Sequence, residues 1–168
     1  MSVHFDSEFW KGRRVWITGH TGFKGSWLAL WLLRLGACVE GYSLDPEPGS
    51  FPSLFESLAI SQELVGDVRN DLANVDCLVA RVKAFQPEIV FHLAAQSLVQ
   101  RSYIDPLRTW ETNVIGTCNV MEALRSLDNQ CVAVMVTTDK VYENREWDFG
   151  YRESDHLGGH DPYSSSKA

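Results

Sequence analysis

The turn Gly19-His20-Thr21-Gly22-Phe23-Lys24-Gly25 sits between an apolar run, Arg14-Val15-Trp16-Ile17-Thr18, and a helical pattern from Ser26 to Leu35 that Gly36 stops. A strand that runs straight into a helix needs a crossover to reach a parallel neighbour, and the rest of the chain has that rhythm. Apolar runs at Ala37 to Leu44, Glu63 to Gly66 (ending at Asp67), Glu88 to Leu93 and Cys131 to Thr137 read as further strands. Helical spacing over Leu72 to Phe85 and from Pro106 to Leu127 falls between them. Right-handed crossovers put such helices on both faces, so the expected fold class is α/β, a doubly wound parallel sheet. Asp45 to Phe55, with three prolines and a glycine, reads as a loop, as does the polar stretch before Tyr163. The chain ends just after Lys167, where a helix is starting, so the last strands of the sheet are expected to lie outside it.

The glycines carry a functional expectation because of where they sit. A tight strand-to-helix turn, close approach of a pyrophosphate and close helix packing each favour a residue without a side chain, and the helix start offers free N–H groups to phosphate. Asp45 follows the second strand roughly 20 residues after Gly25, where a carboxylate can accept hydrogen bonds from an adenosine ribose. No arginine directly follows that strand to meet a 2'-phosphate, so NAD is expected over NADP. Residues 1–168 then read as the N-terminal part of a Rossmann-like NAD-binding domain, with the remainder and a C-terminal substrate-binding region outside this chain.

A second constellation points to chemistry. In Tyr163-Ser164-Ser165-Ser166-Lys167 a helix would project the tyrosine and the lysine from one face. A cation near a phenol stabilises phenolate and makes the tyrosine a candidate general base toward an alcohol. The fifth strand runs into Thr137-Thr138-Asp139-Lys140 and the fourth ends at His92-Leu93-Ala94-Ala95-Gln96. Both sets emerge at the carboxyl edge of the sheet, where open α/β sheets bind ligands.

Composition narrows the alternatives. A net charge of -7 without a long basic run gives no electrostatic footprint for nucleic acid. No apolar stretch reaches the roughly 18 to 20 residues of a membrane span, and the N-terminus is too polar for a signal peptide, so a cytoplasmic location is expected. Cys38, Cys77, Cys118 and Cys131 lack C-x-x-C spacing and read as buried, inert thiols rather than zinc ligands or disulfides. His156 and His160 flank Gly158 and Gly159 and read as polar surface, so no metal is expected. Trp27 and Trp31 have the spacing of core packing.

Taken in order, TGHTGFKG, GDVR, HLAAQS, TNVIGT, TTDKVY and YSSSK resemble the extended short-chain dehydrogenase/reductases that act on nucleotide sugars, from about Trp10 to Ala168. The resemblance implies a nucleotide-sugar 4,6-dehydratase, a lyase of deoxysugar and O-antigen biosynthesis that recycles NAD on the enzyme. It implies that Gly19, Thr21, Gly22, Phe23 and Gly25 bind the cofactor, with the glycines lining the pyrophosphate. Asp45 would meet the adenosine ribose, Asp67 and Val68 the adenine, and Leu93, Ala94 and Ala95 the nicotinamide side. Asn113 would support the lysine region. Thr138, Tyr163 and Lys167 would form the catalytic triad, with Asp139 and Lys140 serving the elimination.

Asp139-Lys140 departs from the Asp-Glu of the dTDP-glucose dehydratases and resembles the group that dehydrates CDP-glucose, as does AAQSLVQRSY. UDP-N-acetylglucosamine dehydratases share the Asp-Lys pair. A 4-epimerase would keep the triad without needing Asp139 and Lys140, and a non-catalytic NAD-binding regulator would not need the triad. The resemblance also implies a homodimer or higher homo-oligomer, through the helices near Asn113 and Tyr163.

Overall fold

The computed structural model describes residues 7–47, 49 and 52–168. Strands β1 (Arg14–Thr18), β2 (Cys38–Ser43), β3 (Gly66–Arg69), β4 (Ile89–His92) and β5 (Val132–Met135) form a parallel 5-stranded sheet in the order β3-β2-β1-β4-β5. Around it lie α1 (Ser7–Trp10), α2 (Phe23–Arg34), α3 (Leu54–Ser57), α4 (Val75–Phe85), α5 (Val99–Ile104), α6 (Pro106–Trp110), α7 (Gly116–Leu124) and α8 (Pro162–Lys167). The strand order reverses between β1 and β4, so the crevice for a ligand lies outside their carboxyl ends, after Thr18 and His92.

Because both faces are covered, the central strands are apolar on both sides. Val15 and Ile17 of β1 face α2, where they pack with Ala29, Leu32, Val39, Phe55 and Ile60. Trp16 points to the other face and packs with Tyr42, Leu78, Val82, Val90 and Val120 under α4 and α7. One buried carboxylate interrupts that face: Glu40 accepts from Trp16 Nε1 at 3.3 Å and pairs with Arg81 of α4. Glu40→Ala strands the buried Trp16 Nε1–H and leaves Arg81 without its partner. Arg81 is partly exposed and can return to water, so the expected loss of stability is about 1–3 kcal/mol, read as a lower midpoint in urea with an unchanged slope.

The structure bears out the α/β doubly wound expectation and moves several boundaries. β3 runs Gly66–Arg69, so Asp67 and Val68 lie inside it; Val65 N–H is still held by Val39 O, but the paired register with β2 starts at Glu40 with Gly66. A half-buried edge strand carries polar residues, and its apolar signal is correspondingly short. The expected helix from Pro106 to Leu127 is α6, a π-helical turn (Glu111–Ile115) and α7. Within the expected loop from Asp45 to Phe55, Pro48, Ser50 and Phe51 lie outside the described residues. Its end enters α3, which Ser53 and Glu56 start with a capping box. The loop before Tyr163 holds a 3-10 turn (Asp139–Val141) and an antiparallel bridge between Tyr142 and Leu157.

Two packing expectations fail. Trp27 and Trp31 are 51% and 49% exposed, because the inward positions of α2 belong to Gly25, Ser26, Ala29 and Leu32. None of the cysteines is fully buried: Cys118 is exposed, on the side of α7 away from Val120 and Ala123, and the others are half-buried and free. Partial burial raises the Cys131 thiol above its ordinary value.

Candidate active site

The glycine turn is held by backbone crowding. Gly19 has φ +76°, and a Cβ there would come within 2.7 Å of Ala94 N; at Gly25 it would lie 2.0 Å from Gly19 O. Thr21 is spent on the end of β2, donating to Leu44 O at 3.0 Å and lying 2.8 Å from Ser43 Oγ. Phe23 projects from the start of α2 and is exposed. α2 begins at Gly22 with no side-chain cap and no acidic residue in its first turn. This donor set fits a dinucleotide pyrophosphate, since the first amides and the positive end of the helix are left for an anion.

Beneath the turn lies His20, which sequence reasoning passed over. Its ring is fully buried, edge-on to Phe55, and needs Gly41, whose Cβ would come within 2.3 Å of it. Nε2 lies 2.8 Å from Asp67 Oδ1, and Nδ1 has no partner among the described residues. Burial lowers its pKa in spite of Asp67, so the ring is neutral and donates from Nε2. Asp67 also binds Ser61 Oγ at 2.6 Å and Arg69 through Nε at 2.7 Å and Nη2 at 2.8 Å. Burial works to raise the Asp67 carboxyl, but Arg69, Ser61 and His20 together hold it below the usual range. These contacts fill the roughly four acceptor positions of a carboxylate. Asp67 therefore braces the turn from below, and Val68 follows it in β3.

Asp45 lies just beyond β2 with its carboxylate mostly in solvent. Arg69 Nη1 is 4.0 Å from it, and the same guanidinium stacks over Phe55 at 4.7 Å. A cation thus reaches the end of β2 after all, delivered across the sheet by β3 and not by the chain following β2.

At the carboxyl edge of the sheet, Leu93 N–H donates to Thr18 O and Ala94 N–H to Thr18 Oγ1 at 3.2 Å, which fixes the Leu93-Ala94-Ala95 segment against β1. Asn113, 3% exposed, sits in the π-helical turn. Its Nδ2 donates to Gln96 O at 3.0 Å and to Ser166 Oγ at 2.8 Å, while Oδ1 accepts from Gln96 N at 2.8 Å. Asn113 therefore ties the loop after β4 to α8.

That helix starts at Asp161, whose side chain accepts from Ser164 N at 2.9 Å and Ser164 Oγ at 2.6 Å, with Pro162 in the first turn. Lys167 Nζ donates to Val136 O at 2.8 Å, and burial holds the ammonium below the ordinary lysine value. Tyr163, one turn earlier, lies on the same face and is half-buried. Thr138 caps the 3-10 turn: its oxygen accepts from Lys140 N at 3.4 Å and its hydroxyl donates to Asp139 Oδ1 at 3.1 Å. α8 packs on this turn, with Asp139 and Lys140 exposed beside it. The carboxyl edge thus gathers Thr138, Asp139, Lys140, Tyr163 and Lys167. His156 and His160 form no metal cluster, and none is found among the described residues.

The GDP-mannose 4,6 dehydratase family profile matches residues 16–168. The chain is 48% identical over 162 residues to the CDP-glucose 4,6-dehydratase of Salmonella typhimurium, covering 96% of this chain and 44% of that protein. Among solved structures, Pal from Bacillus thuringiensis has TM-score 0.78 at 27% identity, over 92% of this chain and 48% of that one. MoeE5, in complex with UDP-glucuronic acid and NAD, has TM-score 0.71 at 27% identity, over 92% and 46%. The chain spans about half the length of these relatives. Since the family match runs unbroken through the glycine turn, the Thr138 turn and the Tyr163 helix, the chain belongs to the GDP-mannose 4,6 dehydratase family.

Proposed function

We propose that this chain supplies the NAD-binding and proton-transfer half of a 4,6-dehydratase that converts CDP-glucose to CDP-4-keto-6-deoxyglucose. The observation that carries the reading is the Thr138-Asp139-Lys140 turn packed against the helix of Tyr163 and Lys167, in a chain 48% identical to a CDP-glucose 4,6-dehydratase. Residues 1–168 are then the N-terminal part of the NAD-binding domain, and the activity belongs to the full-length protein. That share fits the 44% of the Salmonella enzyme which the chain covers.

Gly19, Gly22 and Gly25 would hold the NAD pyrophosphate and Asp45 the adenosine ribose; NAD bound there would take a hydride from carbon 4 of the sugar and return one to carbon 6. Tyr163 accepts the proton of the 4-hydroxyl as that carbon becomes a ketone, with the Lys167 ammonium beside it to stabilise phenolate. With substrate in place the Thr138 hydroxyl would turn from Asp139 and donate its one hydrogen bond to the same oxygen. The ketone acidifies the proton on carbon 5, and Asp139 or Lys140 removes it while the other protonates the hydroxyl leaving carbon 6 as water; the base then returns its proton to carbon 5 as hydride reaches carbon 6. An epimerase has no use for that acid and base. Exposed Tyr103, Ile104, Leu107 and Ile115 on α5, α6 and the π-helical turn support association of two copies on this side.

NAD should bind at least about tenfold more tightly than NADP. Asp45 would repel a 2'-phosphate, and Arg69 is already committed to Asp67. Titrating both cofactors into stripped full-length protein checks this, and tighter NADP binding would overturn it. The activity itself is tested by supplying CDP-glucose to the full-length protein and identifying the product; a 4-epimer as sole product would replace dehydratase by epimerase.

A further inference from the structure

His92 closes β4 beside Thr18, the last residue of β1, and is 2% exposed. Its ring touches hydroxyls on both sides: Nδ1 is 2.6 Å from Thr18 Oγ1 and Nε2 is 2.9 Å from Thr117 Oγ1. Proton positions follow from the neighbours. Thr117 donates its proton to Asn113 O at 2.6 Å, so toward His92 its oxygen can only accept, and Nε2 must carry hydrogen. Nδ1 of a neutral ring is then an acceptor, filled by the Thr18 hydroxyl, whose oxygen in turn accepts from Ala94 N–H. One assignment satisfies every group. The opposite tautomer turns Nδ1 into a second donor toward Thr18 and faces Nε2 with an oxygen whose proton is already spent. A charged ring would leave the Thr18 hydroxyl without an acceptor and set a second cation near Lys167. Burial and the Lys167 charge both push the ring the same way, to a pKa of about 4.

The two ends of this relay are the two halves of the site. Ala94 belongs to the rim beside the nicotinamide position, and Asn113 clamps Gln96 and the Ser166 hydroxyl of the helix that carries Tyr163 and Lys167. We propose that His92, held as its neutral Nε2–H tautomer, is a positioning residue: through Thr18 and Thr117 it sets the spacing between the cofactor rim and the catalytic helix. The assay, though not the geometry, rests on the function proposed above.

Thr117→Val in the full-length protein keeps the shape of the side chain and removes the acceptor for Nε2–H and the donor to Asn113 O. A displacement of about 1 Å between reacting groups costs about 100-fold, so kcat should fall by that order while KM and NAD affinity change by less than about threefold. Thr117→Ser should restore the rate. Turnover is measured with whichever nucleotide sugar the wild type converts, so failure of the CDP-glucose reading leaves the relay testable. Independently of any substrate, 15N NMR of histidine-labelled protein, with the His92 signals assigned by their loss in His92→Gln, should show the His92 imidazole protonated at Nε2 and not titrating between about pH 5.5 and 8. An Nδ1–H tautomer or a titrating ring at His92 overturns the proposal. So does a Thr117→Val protein with wild-type kcat, or one whose NAD affinity falls in step with kcat.

Discussion

Tyr163→Phe in the full-length protein should lose about 100- to 10,000-fold in turnover, the usual cost of removing a general base. NAD affinity should hardly move. The ring remains to pack in α8, and Lys167 keeps its bond to Val136 O, so the edge of the sheet is not dismantled. The phenol is also remote in role from the glycine turn, which gathers its anion-binding amides from α2. Steady-state kinetics with a parallel NAD titration separates these effects. Turnover close to wild type would remove Tyr163 from the mechanism, and a parallel collapse of NAD binding would show that its part is structural.

Replacing Asp139 by Ala and Lys140 by Met together should stop elimination while leaving oxidation at carbon 4 possible. On the proposed mechanism the first hydride transfer would need Tyr163 and Lys167, whereas removal of the carbon 5 proton and departure of the carbon 6 hydroxyl would need the exposed pair beside Thr138. Reduced cofactor should therefore build up, visible by its absorbance, as 4-keto-6-deoxy product disappears. The change also frees the Thr138 hydroxyl from Asp139, so Asp139→Asn, which keeps an acceptor there, is the control for disturbance of the cap. If the double variant still forms product at the wild-type rate, another group performs the elimination.

What could be read from the sequence follows the continuity of its apolar runs, as in β5, which was legible although exposed. β1 and β4 lie in the middle of the sheet with both faces covered, so each is a nearly unbroken apolar run with visible ends. β3 is an edge strand whose Asp67 and Arg69 are satisfied by partners across the fold, so its bounds, Gly66–Arg69, lie later than the apolar residues Leu64 and Val65 suggest. α3 carried a legible signal in Ser53 and Glu56, hidden among the prolines. α5 has no side-chain cap at Leu98 and is only 6 residues long, so little in the local pattern announces it.

The site divides in the same way. Its members with motif spacing, the glycines, the Thr138 turn and the Tyr163 helix, were recognisable. Its supports were not: the bonds of His20 to Asp67 and of His92 to Thr18 and Thr117 join residues far apart in the chain. Arg69 likewise reaches Asp45 only because β2 and β3 are paired.

The π-helical turn around Asn113 has a consequence for how such a site can be lost or regained. A π turn holds one more residue than the α turn it replaces. Deleting a single residue between Glu111 and Ile115 would let α6 and α7 fuse into continuous α-helix, with Thr109 on one side and Val120 and Ala123 on the other still facing inward. Asn113 or its replacement would swing by about 100°, the angle per residue of an α-helix, away from Gln96 and Ser166. The core would keep its register while the clamp came undone. On the proposed function, a one-codon deletion here should silence the enzyme while leaving the fold standing, and reinsertion should restore it.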